Sequence, residues 1–344
     1  MLLRILTAGL MVLMLAGCSG QQVLNRLAPD EGYTVAYDQV YDPATGMKLD
    51  VYTPRNARNA PTVVFFFGGR WSEGDKSGYK FVGQALASRG FVAVLPNYRL
   101  YPQVKFPAFI EDGAQAVKWT RDNIGSYGGS RERLFVMGHS SGAHIAAMLA
   151  VNEEYLKAVG GSRTWLRGMI GLAGPYDFMP ITAPDLRDIF GPVDRFAYSQ
   201  PVFFVDGKNA PLLLLHGEDD DAVWVKNTVN MARAVAKAGG PVETVIYPRL
   251  SHTMIVGAMG SLLRGRADVL DQVEAYIVKR ADGGPVIPHT EIRATPLDPE
   301  EGVHTQPLPE PLPAPVPVEE APGFQLLPPE PEPTPQPTAV PFGE

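Results

Sequence analysis

Ser140 sits in Gly138-His139-Ser140-Ser141-Gly142, between the apolar run Leu134–Met137 and the helix-like stretch Ala143–Ala150. A serine hydroxyl attacks carbonyl carbon only when a neighbouring base takes its proton. The glycines on either side let the chain turn sharply and let other elements come close. The helix behind the turn opens with unpaired N–H groups, which favour a developing negative charge. A glycine-bracketed turn by itself is commonplace. Strand, tight turn and helix together make Ser140 a nucleophile candidate.

Six histidines compete for the role of base. His139 and His144 flank the serine and are expected to point away from its hydroxyl. His289 and His304 fall in a proline-rich C-terminal stretch, and His216 ends a strand at Leu215-His216-Gly217, where it is expected to shape a turn. His252 remains, on the loop Tyr247–His252 after the last strand. The base needs an orienting acid. Carboxylates cluster at Glu218-Asp219-Asp220-Asp221, directly after the apolar run Leu212–Leu215, and Asp177 is a further candidate. Such a cluster also suits a solvated loop capping the next helix.

His216-Gly217-x-x-Asp220-x-x-Val223 resembles the stretch that carries the triad acid in α/β-hydrolase esterases, whose sequence order is Ser, Asp, His. The resemblance selects Asp220, with Asp219 and Asp221 still open. Phe67-Gly68-Gly69-Arg70-Trp71 resembles the His-Gly-Gly-x-Trp motif of the carboxylesterase and kynurenine-formamidase-like (BD-FAE-like) branch, with Phe67 in place of histidine. It implies oxyanion donors at Gly69, with Gly68 or Arg70 assisting, and at Ser141 after the nucleophile. The absent histidine would brace this loop, but backbone donors do not depend on it, so Phe67→His is expected to change turnover modestly. Asn97–Pro102 and Gly174–Phe178 are similar to further segments of the same branch, and the similarity extends over about residues 35–280.

The activity so implied is hydrolysis of small carboxylic esters through an acyl-enzyme, with no metal or organic cofactor. Trp71, Tyr98, Tyr101, Phe178 and Trp224 are candidates for an apolar substrate pocket, though core positions would suit them equally. An arylformamidase or other amidase, or a peptidase, would use the same triad. A catalytically silent envelope scaffold would have no need of all three triad residues.

These groups must be carried by a framework that can be read from periodicity. Tyr33–Tyr37 and Lys48–Tyr52 read as edge strands, while Thr62–Phe67 and Phe91–Leu95 are continuous apolar runs of the kind covered by helices on both faces. Helical spacing follows at Tyr79–Ser88 and Ala108–Asp122. Strands are expected at Leu134–Met137, Gly168–Ala173, Leu212–Leu215 and Val242–Tyr247, with helices at Ala143–Ala150, Ala222–Ala238 and Leu262–Val278. The alternation predicts a doubly wound, mostly parallel α/β sheet, the α/β-hydrolase fold, over residues 33–280. Residues 177–204 break the alternation with four prolines and are expected to form a small cap insertion.

The two ends of the sequence differ in kind. Arg4 is the only charge before Cys18, and the apolar run Ile5–Leu15 suits a signal-peptide core better than a membrane span. Leu15-Ala16-Gly17-Cys18 resembles the lipobox of bacterial lipoproteins, which implies removal of residues 1–17 and lipid attachment at Cys18, the one cysteine of the sequence. Ser19 lacks the aspartate associated with inner-membrane retention, so the expected address is the outer membrane, facing the periplasm. Residues 18–32 are expected to be a tether. Residues 281–344 hold 18 of the 33 prolines and eleven acidic residues against Arg293, and are expected to be a disordered tail able to touch the envelope or cell wall. Of the total charge of −7, residues 1–280 contribute about +3. That near-neutrality argues against a nucleic-acid partner.

Overall fold

The computed structural model describes residues 20–283 and the backbone of residues 292–294. Among these residues nine strands form one sheet: β1 Tyr33–Asp42, β2 Met47–Pro54, β3 Ala60–Phe66, β4 Val92–Pro96, β5 Gly129–His139, β6 Leu166–Leu172, β7 Leu212–Gly217, β8 Val242–Tyr247 and β9 Ile292–Ala294. Their order across the sheet is β1-β2-β4-β3-β5-β6-β7-β8-β9. The β1–β2 and β2–β4 pairs are antiparallel, and the other pairs are parallel. The mostly parallel α/β sheet is thus as expected. Valine, leucine and phenylalanine on both faces explain it, because Val63, Val64, Phe66, Leu134, Val136, Leu212 and Leu214 are all fully buried.

The helices cover those faces. They are α1 Gly20–Leu27, α2 Lys80–Ser88, α3 Ala108–Asn123, α4 Ser141–Val151, α5 Glu153–Ala158, α6 Pro184–Phe190, α7 Lys226–Lys237, α8 His252–Gly257 and α9 Val269–Ala281. Helix α4 sits at the centre of the sheet and has no polar face: all eleven of its residues are buried. A helix apolar all round belongs in the interior. It leads straight out of the Ser140 turn into the buried core.

Four boundaries differ from the expectation, for local reasons. Residues 20–27 are a docked helix with Leu24 buried, where a tether is expected. Helix α7 starts at Lys226, not Ala222, because Asp220 Oδ1 takes the N–H groups of Ala222 and Val223 at 3.0 and 2.8 Å and holds them in a turn. Helix α9 starts at Val269, after a 3₁₀ turn at Arg264–Arg266. Ile292–Ala294 pairs with Thr244–Ile246 as an edge strand inside the stretch expected to be tail. The leader, Cys18 and the rest of the expected tail lie outside the described residues.

Candidate active site

The parallel strands all deliver their C-terminal ends to one edge of the sheet, where ligands bind in open α/β sheets. There β3 runs into Phe67–Trp71, β5 into Ser140, β7 into Asp220 and β8 into the loop before His252. Neighbouring loops are tied to each other. Ser140 N–H donates to Leu172 C=O at 2.9 Å, Glu218 N–H to Tyr247 C=O at 2.8 Å, and Asp219 N–H to Leu250 C=O at 3.1 Å.

Ser140 has φ 54° and ψ −123°, a left-handed conformation that costs an L-residue about 1–3 kcal/mol. Its glycine neighbours are there for space. A β-carbon on Gly138 would lie 2.2 Å from Gly142 backbone, and one on Gly142 would lie 2.1 Å from Phe66 C=O. Ser140 Oγ lies 2.9 Å from His252 Nε2, and His252 Nδ1 lies 2.8 Å from Asp220 Oδ2. The three residues singled out in the sequence therefore form one continuous hydrogen-bonded relay. Asp219 and Asp221 are not part of it: Asp221 is exposed and Asp219 points its side chain to solvent, while Asp177 accepts a hydrogen bond from Asn230.

Asp220 is buried, which by itself would push its carboxyl upward. Hydrogen bonds from His216, His252 and the Val223 N–H outweigh that and hold it well below the usual carboxylate range. It is a fixed anion. His216 is the residue that sequence reasoning undervalued. Its Nε2 lies 3.1 Å from Asp220 Oδ2 and donates to Val223 C=O at 2.7 Å, while Thr228 Oγ1 donates to its Nδ1 at 2.7 Å. The signal was its place four residues before the acid.

Two more buried histidines brace the site. His139 Nε2 donates to the backbone carbonyl of His252 at 2.9 Å, which ties β5 to the segment carrying His252. His144 Nε2 donates to Ser199 C=O at 2.7 Å, and its Nδ1 accepts from Trp71 Nε1 at 3.3 Å. Burial lowers both, His139 to about 3 with help from the nearby His252, and His144 to about 4. Both are neutral when folded, whereas the unfolded polypeptide takes up a proton at each below about pH 6.5. Their stabilising contribution is therefore full above that pH and falls as the pH drops toward the folded values. Between pH 7 and pH 5 each is expected to remove about 2 kcal/mol. Asp220 has the same sense but loses its contribution only below about pH 4, outside this window. Urea unfolding at pH 7, 6 and 5 should show the loss, and His144→Phe should roughly halve it; a pH-independent midpoint would refute it.

The Phe67–Trp71 loop is braced by aromatic rings. Phe67 stacks on Tyr98 with centroids 4.3 Å apart and faces Tyr79 at 6.1 Å. Tyr98 Oη donates to Phe67 C=O at 2.7 Å, and Gly68 N–H donates to Tyr79 Oη at 3.2 Å. Gly68 is thereby removed as an oxyanion donor, since its N–H is already used. Gly69 and Ser141 have backbone N–H groups with no partner among the described residues. Gly69 has φ 146°, and a β-carbon there would sit 1.9 Å from Glu73 C=O, so only glycine fits. Arg70 reaches across to the cap segment and pairs with Asp185 of α6 through Nε and Nη2 at 2.6 and 3.1 Å.

Over Ser140 and His252 lies a cleft of about 1060 Å³ bounded by the Phe67–Trp71 loop, residues 175–186 and residues 222–227. Trp71, Phe178 and Trp224 line it. Tyr98 does not: it is packed beneath the loop it braces. Tyr101 turns outward and donates to Asp188 at 2.5 Å. No group of histidine, cysteine or acidic side chains able to hold a metal occurs among the described residues.

A family model described as BD-FAE matches residues 49–235. The isoprenylcysteine alpha-carbonyl methylesterase ICME of Arabidopsis thaliana is 28% identical over 260 residues, covering 69% of this chain and 61% of the relative. Esterase LipC of Mycobacterium tuberculosis is 28% identical over 221 residues, covering 57% of this chain and 54% of the relative. The chain therefore spans about three fifths of the length of the plant relative. Among solved structures, an esterase from Pyrobaculum calidifontis aligns with TM-score 0.65 at 24% identity, over 75% of this chain and 88% of its own. A truncated carbohydrate esterase from gut microbiota aligns with TM-score 0.64 at 19% identity, over 74% and 99%. These likenesses carry the α/β-hydrolase fold.

Proposed function

Because this chain belongs to the BD-FAE family, with an α/β-hydrolase fold, we propose that it is a serine hydrolase that cleaves small carboxylic esters through an acyl-enzyme. The observation that carries the reading is the unbroken line of hydrogen bonds from Ser140 through His252 to Asp220. Ser140 Oγ attacks the acyl carbon as His252 Nε2 takes its proton. Asp220 fixes the tautomer with Nδ1 protonated and stabilises the imidazolium that forms. The Gly69 and Ser141 N–H groups meet the tetrahedral oxyanion. His252 then gives its proton to the leaving alkoxide, and water repeats the sequence on the acyl-enzyme. All groups required for this come from the protein itself.

Esters in preference to other acyl compounds are supported by the names of the relatives, which are esterases and methylesterases. The test is a comparison of p-nitrophenyl acetate, butyrate and octanoate with N-formyl arylamines on purified protein. Ester turnover exceeding formamide turnover by at least tenfold is expected. The reverse order would replace the esterase reading with a formamidase.

The cellular address is proposed from the leader. The lipobox-like Leu15–Cys18 supports attachment of lipid to Cys18 and an outer-membrane location facing the periplasm. The acidic, proline-rich residues beyond 294 support an envelope-contacting tail that the hydrolase does not need.

A further inference from the structure

We propose that α1 is a strut holding the mouth of the catalytic cleft against a lipid bilayer, so that the esters cleaved are amphiphiles drawn from that bilayer. The proposal rests on the ester-hydrolase and Cys18-attachment readings and adds what neither contains, the source and class of substrate.

Helix α1 lies outside the residues matched by the family, and it belongs to the site. Gln21 lines the cleft, and its side-chain amide packs beside Gly78, next to the Tyr79 whose hydroxyl takes the Gly68 N–H. The helix is fixed along its length. Leu24 is buried over Gly260, where a β-carbon would come within 3.1 Å of it. Asn25 accepts from Phe81 N–H at 3.0 Å and donates to Ser77 C=O at 2.9 Å. Just beyond the helix, Asp30 pairs with Lys80 at 2.6 Å.

Successive Cα atoms are at most about 3.8 Å apart, so Cys18 lies within roughly 8 Å of Gly20. A lipid at Cys18 would pin that point at the headgroup level and leave the cleft about a nanometre from it, with no slack to rise. The rim of the cleft carries side chains that suit such a boundary. Trp224 and Met179 line it and remain 63% and 38% exposed, and Lys226 Nζ stands 4.9 Å over the Trp224 ring. Tryptophan and lysine are the side chains that settle at a membrane–water boundary. Behind them, Phe178, Ile181, Leu186 and Trp71 offer an apolar channel to Ser140.

The test reconstitutes the full-length protein into vesicles of phosphatidylethanolamine and phosphatidylglycerol and compares two esters. One is soluble p-nitrophenyl butyrate, the other a fluorogenic diacyl ester embedded in the bilayer. A twenty-residue Gly-Ser insertion after Ser19 leaves Cys18 and α1 intact but adds a coil of about 25 Å. The spaced protein is expected to remain in the membrane fraction, keep butyrate turnover within twofold, and lose about tenfold on the embedded ester. Cys18→Ser is expected to leave the membrane, keep butyrate turnover and lose more on the embedded ester. Unchanged cleavage of the embedded ester by the spaced protein overturns the proposal. A wild type silent on butyrate would overturn the hydrolase reading, and Cys18→Ser still sedimenting with membranes would overturn the attachment reading; each removes the premise and this proposal with it.

Discussion

Ser140→Ala is expected to reduce ester turnover about a millionfold, to what binding and the oxyanion donors supply unaided. No other hydroxyl stands within hydrogen-bonding distance of His252 Nε2 among the described residues, so nothing replaces the lost nucleophile. Covalent labelling by a fluorophosphonate should disappear in the same variant. The fold should survive, since alanine fits wherever serine does. Ser140→Gly gives the sharper control. Glycine adopts the φ of 54° without strain, so this variant should be as inactive as alanine yet unfold at a higher temperature than the wild type. Persistent turnover or labelling in Ser140→Ala would end the assignment of the nucleophile.

Asp220→Asn should lower kcat about ten-thousandfold while leaving KM and the folded structure close to wild type. Oδ1 would still accept from Ala222 and Val223, so the loop is held. The amide nitrogen would then face His252 Nδ1 and donate to it. That traps the ring with its proton on Nε2, pointing at Ser140 Oγ as a donor instead of waiting as an acceptor. Steady-state kinetics with p-nitrophenyl butyrate checks the number, and thermal unfolding checks the fold. Asp219→Asn and Asp221→Asn are the companion variants, expected to change kcat less than threefold. A large loss in either, with Asp220→Asn active, would move the acid to a neighbouring carboxylate.

The sheet was legible because its central strands are apolar on both faces and its turns are rich in glycine. Periodicity reports that burial directly, and all eight longer strands fall where it predicts. The nucleophile turn was legible because Gly138 and Gly142 have no sterically allowed alternative. Choosing Asp220 among its neighbours needed a resemblance, since spacing along a loop does not say which carboxylate turns inward. The buried Asx turn does that, and it is a tertiary fact. The expectation of a tether over residues 18–32 failed for a related reason. Eight residues with one buried leucine make too short a pattern to announce a helix; Asn25 and Leu24 are held by α2 and the residues after α8, far away in sequence. Gly68 was misjudged because a tyrosine eleven residues on claims its N–H.

Where the resembling motif carries a histidine, this protein props its Phe67–Trp71 loop with three rings: Phe67, Tyr79 and Tyr98. Burial raises the hydroxyls of both tyrosines above their ordinary range. None of the three changes charge anywhere between mild acid and mild alkali. An imidazole buried there would stay neutral in the fold, as His139 and His144 do, and would add a third acid-sensitive group to its stability. Carbon rings remove that liability: this brace adds nothing to the acid sensitivity of the fold.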